Sequence, residues 1–229
     1  MSRRAFSVLE LVIALTLLML ISGIMFAIFR TCSSSFQLGM VRQSLQGQLR
    51  RISTRLSRDI RQTSFHSFSF SSDTVNVDME PGVISVGRDS ICMARSSSYD
   101  AATGQPSWNG YTVYVATQQV PRGQLVSYDV SSSVSQSSPG VVQQELGDFT
   151  SSVLSYKTIP STKAQIGTTR IWTHDLHQFA VSKNYADQVI VVRLGLRGER
   201  GHTQNGGRSL AEAAEVVIRF KAENTWPRL

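Results

Sequence analysis

A carboxylate set inside an apolar run is the residue of this sequence that most needs a chemical reason. Glu10 lies within Phe6 to Phe29, a stretch otherwise polar only at Ser7, Thr16 and Ser22. Near the centre of a bilayer such a charge costs about 2.5 to 3.5 kcal/mol or more, and less towards an edge. It calls for a cation to pair with. The other reactive groups are sparser. His174, Asp175 and His177 form the tightest cluster, and on a helix the two histidines would share a face as metal ligands. Nothing nearby completes such a site, only His66 and His202 remain in the chain, and a polar loop is the reading preferred for this segment. The serines show no Gly-x-Ser-x-Gly elbow. Gly198, Gly201, Gly206 and Gly207 lack the Gly-Lys-Ser/Thr ending of a phosphate loop. Without a convergent set of groups the chain is not expected to be an enzyme, nor to hold a metal or cofactor.

The element carrying Glu10 has the length of a membrane span. At ~1.5 Å per helical residue, Phe6 to Phe29 reaches about 36 Å. A cleaved secretory signal would have an apolar core of about 7 to 15 residues, shorter than this one, and would not contain an acid. A plain signal anchor suits the length and the basic Arg3 and Arg4, yet leaves Glu10 without a role.

Behind the span comes a polar run, Arg30 to Ser35, and then apolar residues at Leu38, Val41, Leu45, Leu49, Ile52, Leu56 and Ile60. Their spacing alternates between three and four, the stripe of an amphipathic helix over residues 36–62. No proline interrupts residues 1–61, so the two helices can be continuous, with Gly39, Gly47 and Ser33 to Ser35 as places to bend. Opposite the stripe are placed Arg42, Arg50, Arg51, Arg55, Arg58 and Arg61, with Asp59 as the only acid. The stripe is expected to pack on a sheet of the same chain.

From Thr63 onward, short β-prone runs alternate with Ser, Gly, Asn, Asp and Pro. Candidate strands are Phe65 to Phe70, Thr74 to Met79, Val83 to Val86, Ser90 to Arg95, Gly110 to Thr117, Gln124 to Val130, Ser151 to Thr158, Gln188 to Leu196 and Ala214 to Ala222. The connections leave no room for helical crossovers, so the pairings should be antiparallel. The clearest hairpins join Tyr111–Val115 to Leu125–Asp129, each strand with a core and an exposed face, and Val189–Leu196 to Glu215–Lys221. The second pair is expected to be joined by a loop of roughly 17 residues around Gly206 and Gly207, and Ser131 to Ser138 reads as a flexible tract. The fold class is therefore α+β: residues 30–62 continue the membrane helix, and residues 63–229 form one β-rich domain.

The net charge of +7 comes mostly from arginine and suits an anionic partner, but no nucleic-acid motif accompanies it. Phe65, His66, Phe68 and Phe70 beside Arg58 and Arg61 could stack single-stranded bases. Alternating phenylalanines more often line a buried strand, and nucleic acid is not expected as a partner. Trp108, Trp172 and Trp226 are candidates for core packing or subunit contacts. Two cysteines, Cys32 beyond the span and Cys92 in a candidate strand, could join helix to sheet in an oxidising compartment; two free thiols are the alternative.

Basic residues, a small residue, Phe, and Glu four positions after the Phe resemble the class III signal of type IV prepilins and type II secretion pseudopilins. The matching residues are Ala5, Phe6, Leu9 and Glu10, with Ala5 where the family usually has Gly. The resemblance implies a leader, residues 1–5, cut between Ala5 and Phe6 by a prepilin peptidase, N-methylation of Phe6, and a transmembrane helix, residues 6–29, that stays on the protein. It also implies an N-terminus in the cytoplasm, a single pass through the inner membrane, and a domain beyond it. Glu10 would pair with the terminal amine of a neighbouring subunit during filament assembly. Farther along, Arg55-Leu-Ser-Arg-Asp-Ile-Arg-Gln, the hairpin from Tyr111 to Asp129, Glu145-Leu-Gly-Asp-Phe-Thr before a strand ending in Tyr156, and the final Val189 and Val216 strands look like J-type minor pseudopilins and the related PilW-type minor pilins. Tyr128-Asp129 stand where that family has a strongly basic strand end. The implied role is structural: a pilin-like subunit, at the filament tip, priming a type II secretion pseudopilus or type IV pilus with other major and minor subunits as partners. The alternative is a competence-type minor pilin that binds DNA through a basic surface.

Overall fold

The computed structural model describes residues 8–65, 68–79, 82–99, 106–130, 166–200 and 210–221. The Ala5–Phe6 junction, His66, the Ser131 to Ser138 tract, the segment from Glu145, the candidate strand Ser151 to Thr158, His202, Gly201, Gly206, Gly207 and Trp226 lie outside the described residues.

One helix, α1 (Val8–Arg61, 54 residues), runs unbroken through both expected segments. No proline removes a backbone donor along it. Its hydroxyls are satisfied locally: Thr16 Oγ1 donates to the Ile13 carbonyl at 2.8 Å, and Thr31 Oγ1 to that of Ala27 at 3.0 Å. Within the polar run Ser34 Oγ donates to the Thr31 carbonyl at 2.9 Å, and the helix continues through Ser33 to Ser35. Arg58 and Arg61 occupy the last turn, where positive charge complements the helix dipole.

Among the described residues nine strands follow: β1 (Phe68–Ser71), β2 (Thr74–Met79), β3 (Gly82–Gly87), β4 (Ser90–Tyr99), β5 (Pro106–Ala116), β6 (Gly123–Val130), β7 (Ile166–Asn184), β8 (Val189–Arg200) and β9 (Leu210–Lys221). Seven make an antiparallel sheet in the order β1-β4-β5-β6-β7-β8-β9, and β2 and β3 form a separate hairpin inserted between β1 and β4. The chain is thus α+β, one long N-terminal helix with a large antiparallel sheet. Asp89 ties the inserted hairpin down. Its carboxylate accepts from the backbone N–H of Asp73 at 3.1 Å and of Val181 in β7 at 2.6 Å. Burial raises its pKa, and these two N–H groups oppose that rise.

The stripe on α1 packs where its spacing says it should from Val41 onward, while Leu38 at its start is only half-buried. Val41, Leu45, Leu49, Ile52, Leu56 and Ile60 are buried in one cluster with Leu176, Phe179, Val192, Leu194, Leu196 and Phe220 from β7, β8 and β9. Burying a Leu or Ile side chain fully contributes about 1.5–3 kcal/mol, so this seam is the main attachment of helix to sheet. Gly198 makes the approach close: a Cβ there would stand 2.9 Å from Val41 Cγ1.

Several expectations change. The segment around His174 is not a loop but the centre of β7, the longest strand at 19 residues. Its buried side chains, Thr173, Leu176, Phe179 and Val181, are spaced three, three and two, because register shifts between Thr173 and Leu176 against β6 and between Leu176 and Gln178 against β8 break the alternation that marks a strand. The β8–β9 hairpin reaches Arg200 and Leu210, so its connection is 201–209 and Gly198 belongs to β8. The β5–β6 register pairs Tyr111 with Val130 and Ala116 with Leu125, as the hairpin reading requires, but Tyr111 to Ala116 are buried on both faces. Asp59, placed opposite the stripe, faces inward at 8% exposure. Cys32 and Cys92 are not joined by a disulfide: Cys32 is exposed on α1 and Cys92 is buried in β4.

Candidate assembly helix

The two halves of α1 have opposite surroundings. From Val8 to Arg30 every residue is exposed, among them Leu9, Leu17, Met19, Phe26 and Phe29, the last at 72%. An 18-residue window of this helix has a mean hydropathy of 2.8 and buries nothing within the chain. This half is long and apolar enough to cross a membrane. Glu10 stands in the first turn, where a negative charge is favoured by the positive end of the helix dipole. The structure therefore puts the carboxylate on an exposed apolar surface in the first turn of the described helix.

The second half is held by polar contacts as well as by the stripe. Asp59 Oδ2 accepts from Tyr114 Oη in β5 at 2.5 Å and from Arg55 Nε at 3.0 Å. Burial and then the Asp59 charge push the Tyr114 pKa far up, so the phenol stays protonated and donates. Asp59 follows Ile52 by seven positions and Leu56 by three, the heptad spacing that puts it on the buried face; that signal was present in the sequence. About three turns farther up the helix, Thr173 Oγ1 donates to Gln48 Oε1 at 2.8 Å. Past the helix, Lys183 Nζ donates to the Phe68 carbonyl at 2.9 Å and lies 4.2 Å from the Phe65 ring centroid. Burial lowers its pKa to about 8.

The outer face of this half forms a basic groove lined by Gly47, Arg50, Arg51, Thr54, Arg55, Arg58 and Trp172. Trp172 of β7 donates its indole N–H to Ser127 Oγ at 2.9 Å, and the Arg170 guanidinium lies 5.1 Å from its ring centroid. Sequence reading found the arginines but not the strand that supplies the groove's other wall.

The remaining candidates do not converge. His174 is exposed, and Asp175 is engaged by Arg122 Nη1 at 2.9 Å. His177 is half-buried, its pKa lowered by burial and then by Arg88 and Arg197. Among the described residues no group of three or more His, Cys, Asp or Glu is placed to hold a metal ion. Phe65 and Phe68 are buried at 1% exposure each and are core residues rather than a stacking platform. No family model, curated protein or solved structure matches the chain.

Proposed function

We propose that this chain is a minor pilin or pseudopilin with a pilin-like fold: a single-pass subunit of the inner membrane, inserted at the tip of a type II secretion pseudopilus or type IV pilus, where it primes assembly. The observation that carries the reading is the continuity of α1. One rigid helix presents an exposed apolar half and, without a break, a half packed on the sheet by Val41 to Ile60. A subunit that must leave a membrane for a filament needs both halves in one element, so that the domain moves with the anchor.

In this reading prepilin peptidase cuts between Ala5 and Phe6, the Phe6 amine is methylated, and Glu10 docks on the Phe6 amine of a neighbouring major or minor subunit. Carboxylate and ammonium, each costly in hydrocarbon, offset one another there. Intact-mass measurement of the membrane-extracted protein tests the processing: loss of Met1 to Ala5 with one added methyl group is expected, and retention of an intact leader contradicts it. The alternative, a competence-type minor pilin that binds DNA, has the positive charge of the groove beside Trp172 as its support.

A further inference from the structure

Charge on the packed half of α1 is segregated more completely than a solvated helix requires. Between Arg30 and Arg61 stand Arg42, Arg50, Arg51, Arg55, Arg58 and Arg61 but a single acid, Asp59, which is turned inward and committed to Arg55 and Tyr114. Arg42, Arg50, Arg51, Arg58 and Arg61 are exposed, and among the described residues none of them makes an ion pair. Apart from Arg55–Asp59, the i to i+4 acid–base pairing usual on an exposed helix is absent from these arginines. Resting on the subunit reading above, we infer that the arginine face of α1 is a docking surface for an acidic helix face of a different subunit, and that it opposes side-by-side packing of two copies of this chain.

The geometry decides between the anionic partners. Arg50 lies 21 residues beyond Phe29, about 32 Å along the helix at ~1.5 Å per residue, several times the ~8 Å over which exposed charges act at physiological salt. While the apolar half is in the bilayer, lipid headgroups are out of reach. For single-stranded nucleic acid, the groove's lining holds one aromatic side chain, Trp172, with Arg170 already over its ring, where such binding stacks successive bases on several rings. An acidic helix suits the surface better. Arginines at 50, 51, 58 and 61 line one side of the helix, each with a planar fork that matches a carboxylate. Parallel helices pack with axes about 8–10 Å apart. At that distance two copies anchored in one membrane would put Arg50 opposite Arg50 and Arg58 opposite Arg58, a like-charge contact along the whole face. A subunit carrying this face cannot build a stack of itself through it, and enters the filament beside something acidic.

The chain supplies its own reporter. Cys32 is exposed and precedes Arg50 by 18 residues, five turns at ~3.6 residues per turn, on the same side of the helix, whereas Cys92 is buried. The full chain is reconstituted in neutral phosphatidylcholine liposomes, alone or mixed with the variant Arg50→Glu/Arg51→Glu/Arg58→Glu, whose acidic face serves as the probe, and Cys32–Cys32 crosslinks are formed by mild oxidation. Mixed pairs are expected to exceed either like pair by about tenfold at low salt, the ratio several exposed ion pairs acting together supply, and to fall to near parity at ~1 M salt. Should the triple variant not fold, Arg50→Glu/Arg61→Glu takes its place. Equal yields of mixed and like pairs overturn the inference. So does a duplex or single-stranded oligonucleotide that binds the wild-type chain at low salt while mixed pairs show no excess; that result assigns the face to nucleic acid. Because no secretion machinery is present, failure here is distinct from failure of the processing test, which reads only on the subunit assignment.

Discussion

The upper and lower halves of α1 are the same element in backbone and different in everything else. In the upper half leucines, isoleucines and phenylalanines stand in the open, and its one carboxylate is on that surface. In the lower half the apolar residues from Val41 to Ile60 are against the sheet, and its one carboxylate is buried between Arg55 and Tyr114. Glu10 and Asp59 show what separates them. Asp59 has its donors within the chain and serves the fold. Glu10 is exposed on the apolar half, away from the core, and in the proposed reading it serves assembly. A helix continuous across this boundary transmits any pull on one half to the other.

Core truncation separates the halves most sharply. Leu56→Ala, at a residue with 0% exposure, is expected to destabilise the domain by about 2–5 kcal/mol, read from denaturant unfolding of the detergent-solubilised chain. Leu17→Ala, at 55% exposure, should leave the same transition in place. If the two variants behave alike, the division of α1 is wrong. Removing the inner carboxylate is the next effect in size. Asp59→Ala leaves the buried Tyr114 hydroxyl without an acceptor, a loss of about 1–3 kcal/mol, with near-UV circular dichroism of the tyrosines as a second readout.

The smallest effect is a dependence on pH confined to the lower half and its surroundings. Lys183 has a folded pKa lowered to about 8 from an ordinary 10.5, so the unfolded chain binds the extra proton between these values and stability rises as pH climbs from about 8 towards 10. Tyr114 is shifted the other way. Its contribution is complete below the ordinary phenol value of 10.0 and is lost at higher pH, as the unfolded chain ionises first. A shallow maximum of stability near pH 10 is therefore expected in thermal melts, and Lys183→Met should flatten its rising side. A rising side unchanged in that variant would remove Lys183 as its source.

How far the sequence alone carries the fold depends on whether a pattern is local. The stripe from Val41 to Ile60 is a one-dimensional signal and packs as its period requires. The β5–β6 and β8–β9 hairpins were legible because each strand is regular and its partner comes next in the chain. Strand β7 was not, since the shifts on either side of Leu176 replace alternation by a spacing of three that imitates a helical turn, and His174, Asp175 and Gln178 give the run a polar cast. Nor was the part played by Gly198, which depends on how near a helix more than a hundred residues away will lie. For the site, Glu10 and the arginines were visible as types in a pattern. Their groove was not, because Trp172 reaches it only through the strand that the sequence concealed.

The central claim is that Glu10 serves assembly and not the fold. It is tested most directly by expressing Glu10→Ala in place of the natural chain and measuring both the thermal transition of the domain and the amount of the protein in sheared filaments. An unchanged transition with incorporation reduced by at least about tenfold is the expected result, the size that loss of a charge pair in hydrocarbon implies. Normal incorporation of Glu10→Ala, or a domain that melts early, contradicts it.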